Sequence, residues 1–276
     1  MELLVFDLDG TLLNGNSEIT PYTSDTLRAL GERGIAYTVA TGRTLHGTRD
    51  LINGHGFKLP QIYKNGVLIW SPSAEDYSHC QGLTLEEIAQ VLDAIFQRGV
   101  SPFVFTLERD NRHGIYHPPL QNEEERALAR EFGERLGIEI APLGAVPADA
   151  IVTNISALAP PEPIDEVVAT IEDQEHLVAY AGSAIEGRGL KWLDIHHTEG
   201  SKGAAVSLLK EQLGVSQVIC FGDNDNDLSM FASADECYAP ANALPEVRDA
   251  ADAVIGHHDE EGVARFLRER FDLPPG

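Results

Sequence analysis

Short apolar runs recur along the chain, and a group of polar residues follows several of them. The clearest runs are 3–6, at the start of the chain, and 218–221. Apolar runs without alternating polar positions are typical of strands that are buried on both faces of a parallel sheet. Further strands are predicted at 35–40 and 60–64. A helix is predicted at 21–34, between the strands 3–6 and 35–40, and another at about 44–56, before the strand 60–64. This β-α-β order predicts an α/β fold with right-handed crossovers.

The pattern changes near residue 80 and changes back after Gly200. Strands and helices are mixed in the interval, and no phosphate-site pattern occurs there. From Gly200 a helix at 202–213 again precedes a buried strand. The simplest architecture is a Rossmann-like parallel-sheet core made of 1–80 and 189–276, with an α+β domain inserted at 81–188. The insertion is predicted to contain helices at 85–98 and 123–136, a helix ending near 173, and strands at 102–106, 114–117, 150–155 and 177–180. A further strand candidate at 192–195 falls in the part assigned to the core.

Two acids stand at the end of the first predicted strand, in the stretch Asp7-Leu8-Asp9-Gly10-Thr11. Side chains alternate along a strand, so Asp7 and Asp9 point to the same side. Ligands of open α/β sheets bind at the carboxyl ends of the strands. Two neighbouring carboxylates in a cleft repel each other unless a cation or a shared proton lies between them.

Three other segments contain candidate residues of a functional site. Thr41 and Gly42 follow the second strand, where a hydroxyl and close backbone amides suit an anion, although a helix cap is the plainer interpretation. Lys202 opens a predicted helix, where it opposes the helix dipole unless an anion faces it. The segment 222–227, Gly-Asp-Asn-Asp-Asn-Asp, places three acids within five residues after a buried strand. Such a cluster of oxygen ligands suits Mg²⁺.

A calcium-binding loop is the main structural alternative, because Asp7, Asp9, Thr11 and Glu18 have EF-hand spacing. That loop requires glycine at its sixth position, where Leu12 stands, and a helix rather than a strand before it. The segment 222–227 also lacks the glycine that a calcium-binding loop requires at its sixth position. A nucleotide-binding dehydrogenase is disfavoured because neither GxGxxG nor GxxxxGK[ST] is present.

Composition narrows the function classes further. The 276 residues carry a formal net charge of −24, which argues against nucleic-acid binding. No apolar stretch approaches the roughly 20 residues needed to span a membrane. The three cysteines are not paired like zinc ligands, and Met1-Glu2 leads directly into the first strand. We therefore expect a cytoplasmic protein with reduced thiols that has no membrane partner.

The four segments, in this order, resemble the motifs of the haloacid dehalogenase (HAD) superfamily. Asn65-Gly66 and Ala241-Asn242-Ala243-Leu244 resemble its Cof-type (type IIB) branch, which carries a C2B-type α+β cap where the insertion lies here. The resemblance implies that Asp7 is the nucleophile, Asp9 the general acid and base, and Lys202 the neutralising cation. It also implies phosphate binding by Thr41, Gly42, Lys202 and Asn226, and Mg²⁺ binding by Asp7, Asp9 through its carbonyl, and Asp223, with Asp227 in support.

The function so implied is a magnesium-dependent phosphatase acting on a small phosphate monoester, such as a sugar phosphate or related metabolite, through an aspartyl-phosphate. A phosphomutase of the same superfamily and a non-catalytic phospho-ligand-binding protein stay open as alternatives. Substrate contacts in the insertion are open too, since each candidate is also an ordinary surface charge. These candidates are Arg109, Arg112, His117, Arg188 and Lys191.

Overall fold

The computed structural model describes residues 2–138, 140–184 and 189–274. The chain forms two compact units, one made of Met1–His79 with Gly200–Gly276 and the other of Cys80–Glu199. In the described part of the chain, no helix has the length and apolar character needed to cross a membrane.

The strands are β1 Glu2–Phe6, β2 Ala36–Val39, β3 Gln61–Tyr63, β4 Leu68–Ser71, β5 Asp76–Cys80, β6 Pro102–Leu107, β7 His113–His117, β8 Ile140–Pro142, β9 Ile151–Ala159, β10 Leu177–Ala184, β11 Leu190–His197, β12 Gln217–Phe221, β13 Glu236–Pro240 and β14 Ala253–Ile255. The helices are α1 Pro21–Glu32, α2 Leu45–Ile52, α3 Leu85–Gln97, α4 Glu123–Leu136, α5 Pro161–Glu172, α6 Lys202–Leu213, α7 Leu228–Ser233, α8 Pro245–Ala250 and α9 Gly262–Arg270.

The first unit is built on a parallel sheet with the strand order β14-β13-β12-β1-β2. Alternate residues of β1 face opposite sides. Leu3 and Val5 pack in one apolar cluster with residues of α6 and α7, while Leu4 and Phe6 pack in another with residues of α1 and α9. Burial on both faces explains the uninterrupted apolar runs, and the predicted α/β fold class is confirmed.

A smaller sheet, in the order β3-β4-β5, extends the first unit through a parallel bridge from Ala40 to Ile62. Strand β5 is absent from the sequence-based prediction because its residues are mostly polar. Helix α2 is shorter than the predicted 44–56. It ends at Ile52, and the residues Gly54 and Gly56 that follow both have φ +83°, which a helix does not allow.

The second unit is a six-stranded sheet, β10-β11-β9-β6-β7-β8, which is antiparallel except for β7 and β8. Residues of α3 and α5 pack in one apolar cluster with Ile155 and Leu193, whereas α4 packs against Phe103 and Phe105. The assignment of 189–199 to the core is wrong. Strand β11 lies in this range and pairs with β9 and β10, so the second unit ends at Glu199.

Candidate active site

The loop after β1 is held against the loop after β12. The Asp7 amide donates to the Phe221 carbonyl at 2.9 Å, which continues the strand pairing and fixes the Asp7 side chain at the sheet edge. Gly10 then turns the chain with φ +73°, and a Cβ at this position would lie 2.4 Å from Asp223 Oδ2. The turn allows the Thr11 hydroxyl to donate to Asp223 Oδ1 at 2.7 Å. Glycine is therefore required between the two acids and the threonine.

Lys202 lies fully buried at the first turn of α6, between two carboxylates. Its Nζ donates to Asp7 Oδ1 and to Asp227 Oδ1, each at 2.6 Å. The cap of α6 is Ser201, whose hydroxyl accepts the Ala204 amide at 3.2 Å. The two carboxylates offset the unfavourable position of a lysine at the amino end of a helix. Asp7 and Asp227 are therefore the acidic groups that face Lys202.

Asp227 has no free carboxylate oxygen. Oδ1 accepts from Lys202, while Oδ2 accepts the amides of Asp223 and Asn224 at 2.8 and 3.0 Å. These bonds orient Lys202 and the loop that carries Asp223. The geometry therefore fits a supporting role for Asp227 rather than direct contact with a metal.

Oxygens of Asp7, Asp223 and Asp227 lie within 4.8 Å of one another. Burial raises the pKa of Asp7 well above its ordinary value, and the charges of Asp227 and Asp223 raise it further against the opposing effect of Lys202. Burial likewise raises the pKa of Asp223 to about 6. For Lys202, burial lowers the pKa, but the two adjacent carboxylates outweigh it and raise the pKa above its ordinary value. The three acids and one ammonium leave an excess of negative charge.

The donor set fits a magnesium ion. Within the described residues, Asp7 Oδ2 and Asp223 Oδ2 accept no hydrogen bond, while the other oxygen of each accepts one from Lys202 and from Thr11. Carboxylate oxygens are the ligands that Mg²⁺ prefers. A cation there would also stabilise the charged forms of the two carboxylates, whose pKa values burial and the neighbouring acids raise. Side chains that are 216 positions apart in the sequence thus face one another, as the motif order implies.

The predicted phosphate-binding loops meet at Asn65. The backbone amide of Asn65 donates to the Thr41 carbonyl at 3.0 Å, and the side-chain Oδ1 of Asn65 accepts a hydrogen bond from Asn226 Nδ2 at 2.9 Å. A Cβ on Gly42 would lie 2.9 Å from the same oxygen, so the glycine permits the close approach. Asn226 Oδ1 is buried and has no hydrogen-bond partner among the described residues. Thr41, Gly42 and Asn226, from loops after two different strands, therefore surround one side chain.

The alternative reading of Thr41 as a helix cap is wrong. The cap of α2 is Thr44, whose hydroxyl accepts the Gly47 amide at 3.1 Å. The Thr41 hydroxyl instead accepts the Arg43 amide at 3.1 Å within the loop and is buried. Its O–H is thereby left to donate in the site.

Arg43, whose role the sequence leaves open, binds Asp9. Its Nε donates to Asp9 Oδ2 at 2.6 Å and its Nη2 to Asp9 Oδ1 at 2.5 Å. The hydrogen bond to Asp9 raises the pKa of the Arg43 guanidinium. Both Asp9 oxygens are occupied, and the Asp9 side chain is 51% exposed. Neither Asp9 oxygen is available to another partner in the direction of Arg43 while this contact is kept.

A second support of the β1 loop comes from the far end of the chain. Asn242 Nδ2 donates to the Gly10 carbonyl at 2.7 Å, and Asn242 Oδ1 accepts the His258 amide at 3.1 Å. The His258 ring contacts the Leu13 carbonyl at 2.8 Å through Nδ1. The sequence pattern marks Asn242 only as part of a subclass motif. Its contact with residue 10 joins positions 232 apart, which no local spacing indicates.

Three of the candidate cations of the insertion form ion pairs inside the second unit. The pairs are Arg109 with Asp149, Arg112 with Glu108, and Lys191 with Asp165. The pairs of Arg109 and Lys191 are exposed and contribute little to stability, which agrees with the surface-charge interpretation, whereas Arg112 pairs with the largely buried Glu108. His117 is buried with its ring 4.2 Å from that of Phe103. Arg188 lies outside the described residues.

Comparison with known proteins gives one family match across the chain. A family model described as haloacid dehalogenase-like hydrolase matches residues 4–267. The HMP-PP phosphatase of Cronobacter sakazakii is 27% identical over 277 residues, covering 98% of this chain and 95% of that protein.

Solved structures resemble the chain over nearly its whole length. A haloacid dehalogenase-like hydrolase from B. subtilis has a TM-score of 0.80 at 25% identity, covering 97% of this chain and 99% of the other. The HAD subclass IIB sugar phosphatase BT4131 has a TM-score of 0.76 at 21% identity, covering 99% of each chain. At that identity the second likeness concerns the fold.

Proposed function

Because the chain belongs to the haloacid dehalogenase-like hydrolases, we propose that it is a magnesium-dependent phosphatase that hydrolyses a small phosphate monoester through an aspartyl-phosphate on Asp7. The predicted superfamily and the phosphatase class are confirmed by the comparisons, and the likeness in fold to a HAD subclass IIB sugar phosphatase supports the type IIB branch. The dependence on magnesium, the aspartyl-phosphate intermediate and the kind of ester hydrolysed belong to the proposal. The observation that carries it is the buried Lys202 between Asp7 and Asp227, with Asp223 beside them.

In the first step, an oxygen of Asp7 attacks phosphorus while the bond from phosphorus to the alcohol oxygen breaks. Asp9 gives its proton to the departing alcohol, which requires the contact with Arg43 to open. Lys202 keeps Asp7 oriented and balances the charge of the phosphoryl group. The products are the alcohol and an aspartyl-phosphate.

In the second step, a water molecule attacks the phosphorus of the aspartyl-phosphate. Asp9 accepts the water proton, the bond from phosphorus to Asp7 breaks, and inorganic phosphate forms. The Thr41 hydroxyl, the backbone amide of Gly42, Asn226 and Lys202 would hold the phosphoryl oxygens through both steps. Donors fixed in advance by the Asn65 contacts need no reorganisation during the reaction.

Asp7, Asp223 and the backbone carbonyl of Asp9 would hold the magnesium ion, with Asp227 supporting the loop. When bound, the ion supplies positive charge beside the phosphoryl group. The two carboxylate oxygens of Asp7 and Asp223 that accept no hydrogen bond support this assignment, because they face one site and are the kind of ligand that Mg²⁺ prefers.

The substrate is proposed to be a sugar phosphate or a related metabolite. We assign selection of the substrate to the second unit, Cys80–Glu199. This unit is inserted between the Asn65 loop and Lys202 along the chain. The named relative that acts on HMP-PP supports a small metabolite. A cytoplasmic location is proposed because the three cysteines are free thiols.

Phosphate release from a panel of metabolite phosphates and p-nitrophenyl phosphate tests the function. We expect release that depends on Mg²⁺ and needs no bisphosphate activator. Release only with a bisphosphate would indicate a phosphomutase. Binding without release, across the panel, would indicate a phospho-ligand-binding protein.

Replacing Asp223 by asparagine is expected to abolish the response to Mg²⁺, because one of the two free carboxylate oxygens is lost. In the wild-type protein, Mg²⁺ at about 100 times its Kd should stabilise the fold by about 2.7 kcal/mol. Thermal unfolding with and without Mg²⁺ measures this difference. Asp225→Asn is the matched control, since it removes a charge from the same loop at a position without a role. Equal responses of the two variants would refute the metal assignment.

Replacing Asp9 by asparagine is expected to slow hydrolysis of an alkyl phosphate by about 10²- to 10⁴-fold, the usual contribution of a general acid. With p-nitrophenyl phosphate the loss should be smaller, because p-nitrophenolate leaves without a proton. Steady-state kcat with the two esters measures the contrast. Arg43→Gln is the comparison, since it frees the Asp9 side chain and should not reproduce the dependence on leaving group. Identical losses with both esters would exclude Asp9 as the acid.

A further inference from the structure

Two histidines and an aspartate lie together in the first unit, in the segment between β14 and α9. Each of His257, His258 and Asp259 offers a ligand atom, and these atoms lie within 4.8 Å of one another. The centroids of the two imidazole rings are 4.8 Å apart. None of the three residues is among those proposed to bind phosphate or magnesium. The segment therefore presents a donor set of two imidazoles and one carboxylate that the proposed function does not use.

The contacts of His258 determine which of its ring nitrogens is available to a metal. Nδ1 lies 2.8 Å from the Leu13 carbonyl oxygen, and a carbonyl oxygen only accepts, so Nδ1 carries the proton. Nε2 of the neutral ring then bears a lone pair, and it makes no hydrogen bond with any described residue. A histidine that binds a metal usually donates its other ring N–H to a backbone carbonyl or a carboxylate in this way.

The Asp259 carboxylate is oriented by the loop after β1. Its Oδ1 accepts the Gly15 amide at 2.6 Å, and its Oδ2 lies 3.6 Å from His258 Nε2. That separation is too long for a hydrogen bond. Two ligands of a tetrahedral ion with bond lengths of about 2.0–2.2 Å lie roughly 3.3–3.6 Å apart. The spacing of Asp259 Oδ2 and His258 Nε2 therefore suits two ligands of one metal ion.

His257 supplies the third donor. Its hydrogen bond within the described residues is a long one, in which Nδ1 accepts the Asp259 amide at 3.2 Å. A coordinate bond from the ring can replace this contact, and a water molecule completes the four positions, as in other sites with three protein ligands. No lysine or arginine of the described residues pairs with Asp259, so the negative charge that a cation would meet is not already neutralised.

We propose that His257, His258 and Asp259 bind a divalent transition-metal ion such as Zn²⁺, in a site separate from the proposed magnesium site. Imidazole nitrogens suit Zn²⁺, Co²⁺ and Ni²⁺, whereas Mg²⁺ prefers oxygen ligands. The ion joins the segment before α9 to the loop after β1, because Leu13 and Gly15 of that loop orient two of its ligands. The site is structural, and it is independent of the catalytic proposal.

Titration of the full-length chain with Zn²⁺ and with Co²⁺, both in saturating Mg²⁺, tests the proposal. Calorimetry gives the stoichiometry and the Kd for Zn²⁺. Visible absorption of Co²⁺ reports the geometry, because four-coordinate Co²⁺ absorbs far more strongly than octahedral Co²⁺. His257→Ala and Asp259→Asn remove one ligand each, and the asparagine keeps an oxygen for the Gly15 amide. His46→Ala is the matched control, since it removes an exposed histidine from α2 of the same unit.

We expect one Zn²⁺ per chain, strong Co²⁺ absorption, and a Kd for Zn²⁺ that is roughly tenfold or more higher in His257→Ala and Asp259→Asn than in His46→Ala. Asp223→Asn, which lacks a proposed magnesium ligand, should bind Zn²⁺ as the wild type does. Thermal unfolding without added metal shows whether each variant is folded. Three results would each overturn the proposal: no saturable Zn²⁺ binding in Mg²⁺, the same Kd in folded His257→Ala and His46→Ala, or loss of Zn²⁺ binding in Asp223→Asn.

Discussion

Replacing Asp7 by asparagine should lower kcat/KM for monoester hydrolysis by on the order of 10⁴-fold or more, as loss of a nucleophile does in other enzymes. An amide nitrogen or oxygen at this position cannot form the acyl phosphate, and no other carboxylate in the cluster is free to replace it. Asp227 is occupied by Lys202 and two amides, while Asp223 accepts the Thr11 hydroxyl through Oδ1 and would hold the metal through Oδ2. Phosphate release with saturating Mg²⁺ measures the effect.

Asp225→Asn is the appropriate control for Asp7→Asn, because it makes the same chemical change next to the cluster. Its activity should stay within a few-fold of wild type. Thermal unfolding of both variants shows whether each is folded. Comparable turnover by a folded Asp7→Asn protein would exclude Asp7 as the nucleophile.

Replacing Lys202 by methionine should reduce both activity and stability. The substitution leaves Asp7 and Asp227 buried without their shared cation, and breaking a buried ion pair from one side costs about 3–5 kcal/mol. The lost stabilisation of the phosphoryl charge should lower kcat by about 10²- to 10³-fold, comparable to the loss of one preorganised donor. Urea unfolding measures the free energy of unfolding, and phosphate release measures kcat.

Two controls separate the buried-charge effect from loss of a lysine in general. Lys210 forms an exposed pair with Asp235, so Lys210→Met should cost less than about 1 kcal/mol. In the double variant Lys202→Met with Asp227→Asn, one buried carboxylate is also removed. We expect this variant to regain part of the lost stability but none of the activity. A double variant no more stable than the single variant would contradict the electrostatic explanation.

The proximity of Asp7 and Asp223 could be predicted because it depends on the order of the strands in the sheet. Apolar runs at 3–6 and 218–221 indicate buried parallel strands, and the carboxyl ends of such strands meet at one edge of the sheet. Asp7 and Asp223 follow those runs directly, and β1 and β12 are neighbours in the sheet. The sequence pattern therefore brings both acids to the same edge before any side-chain contact is known.

The contacts that hold the site together could not be predicted in this way. Arg43 binds Asp9, Thr11 binds Asp223, and Asn242 binds the Gly10 carbonyl across loops whose conformation depends on positive φ values and close backbone approaches. Hydrophobic periodicity carries no information about such contacts. The motif order implied Asn226 and Thr41 as neighbours of the phosphate, but not that Asn65 would link them.

The end of the second unit was misplaced for a related reason. A strand candidate was recognised at 192–195, yet an apolar strand pattern does not indicate which sheet the strand joins. The structure pairs β11 with β9 and β10 through antiparallel registers, which fixes it in the second sheet. Short or polar strands such as β5 and β8 give too little periodicity to be identified from the sequence.

Chemical trapping of the phosphorylated enzyme tests the central claim most directly. The protein is mixed with a substrate and Mg²⁺, quenched, reduced with borohydride, and mapped by peptide mass spectrometry. Borohydride converts an aspartyl-phosphate into homoserine, so the account predicts homoserine at position 7 only when both substrate and Mg²⁺ are present. Homoserine at another acidic position, or full turnover with no modification at position 7, would contradict it.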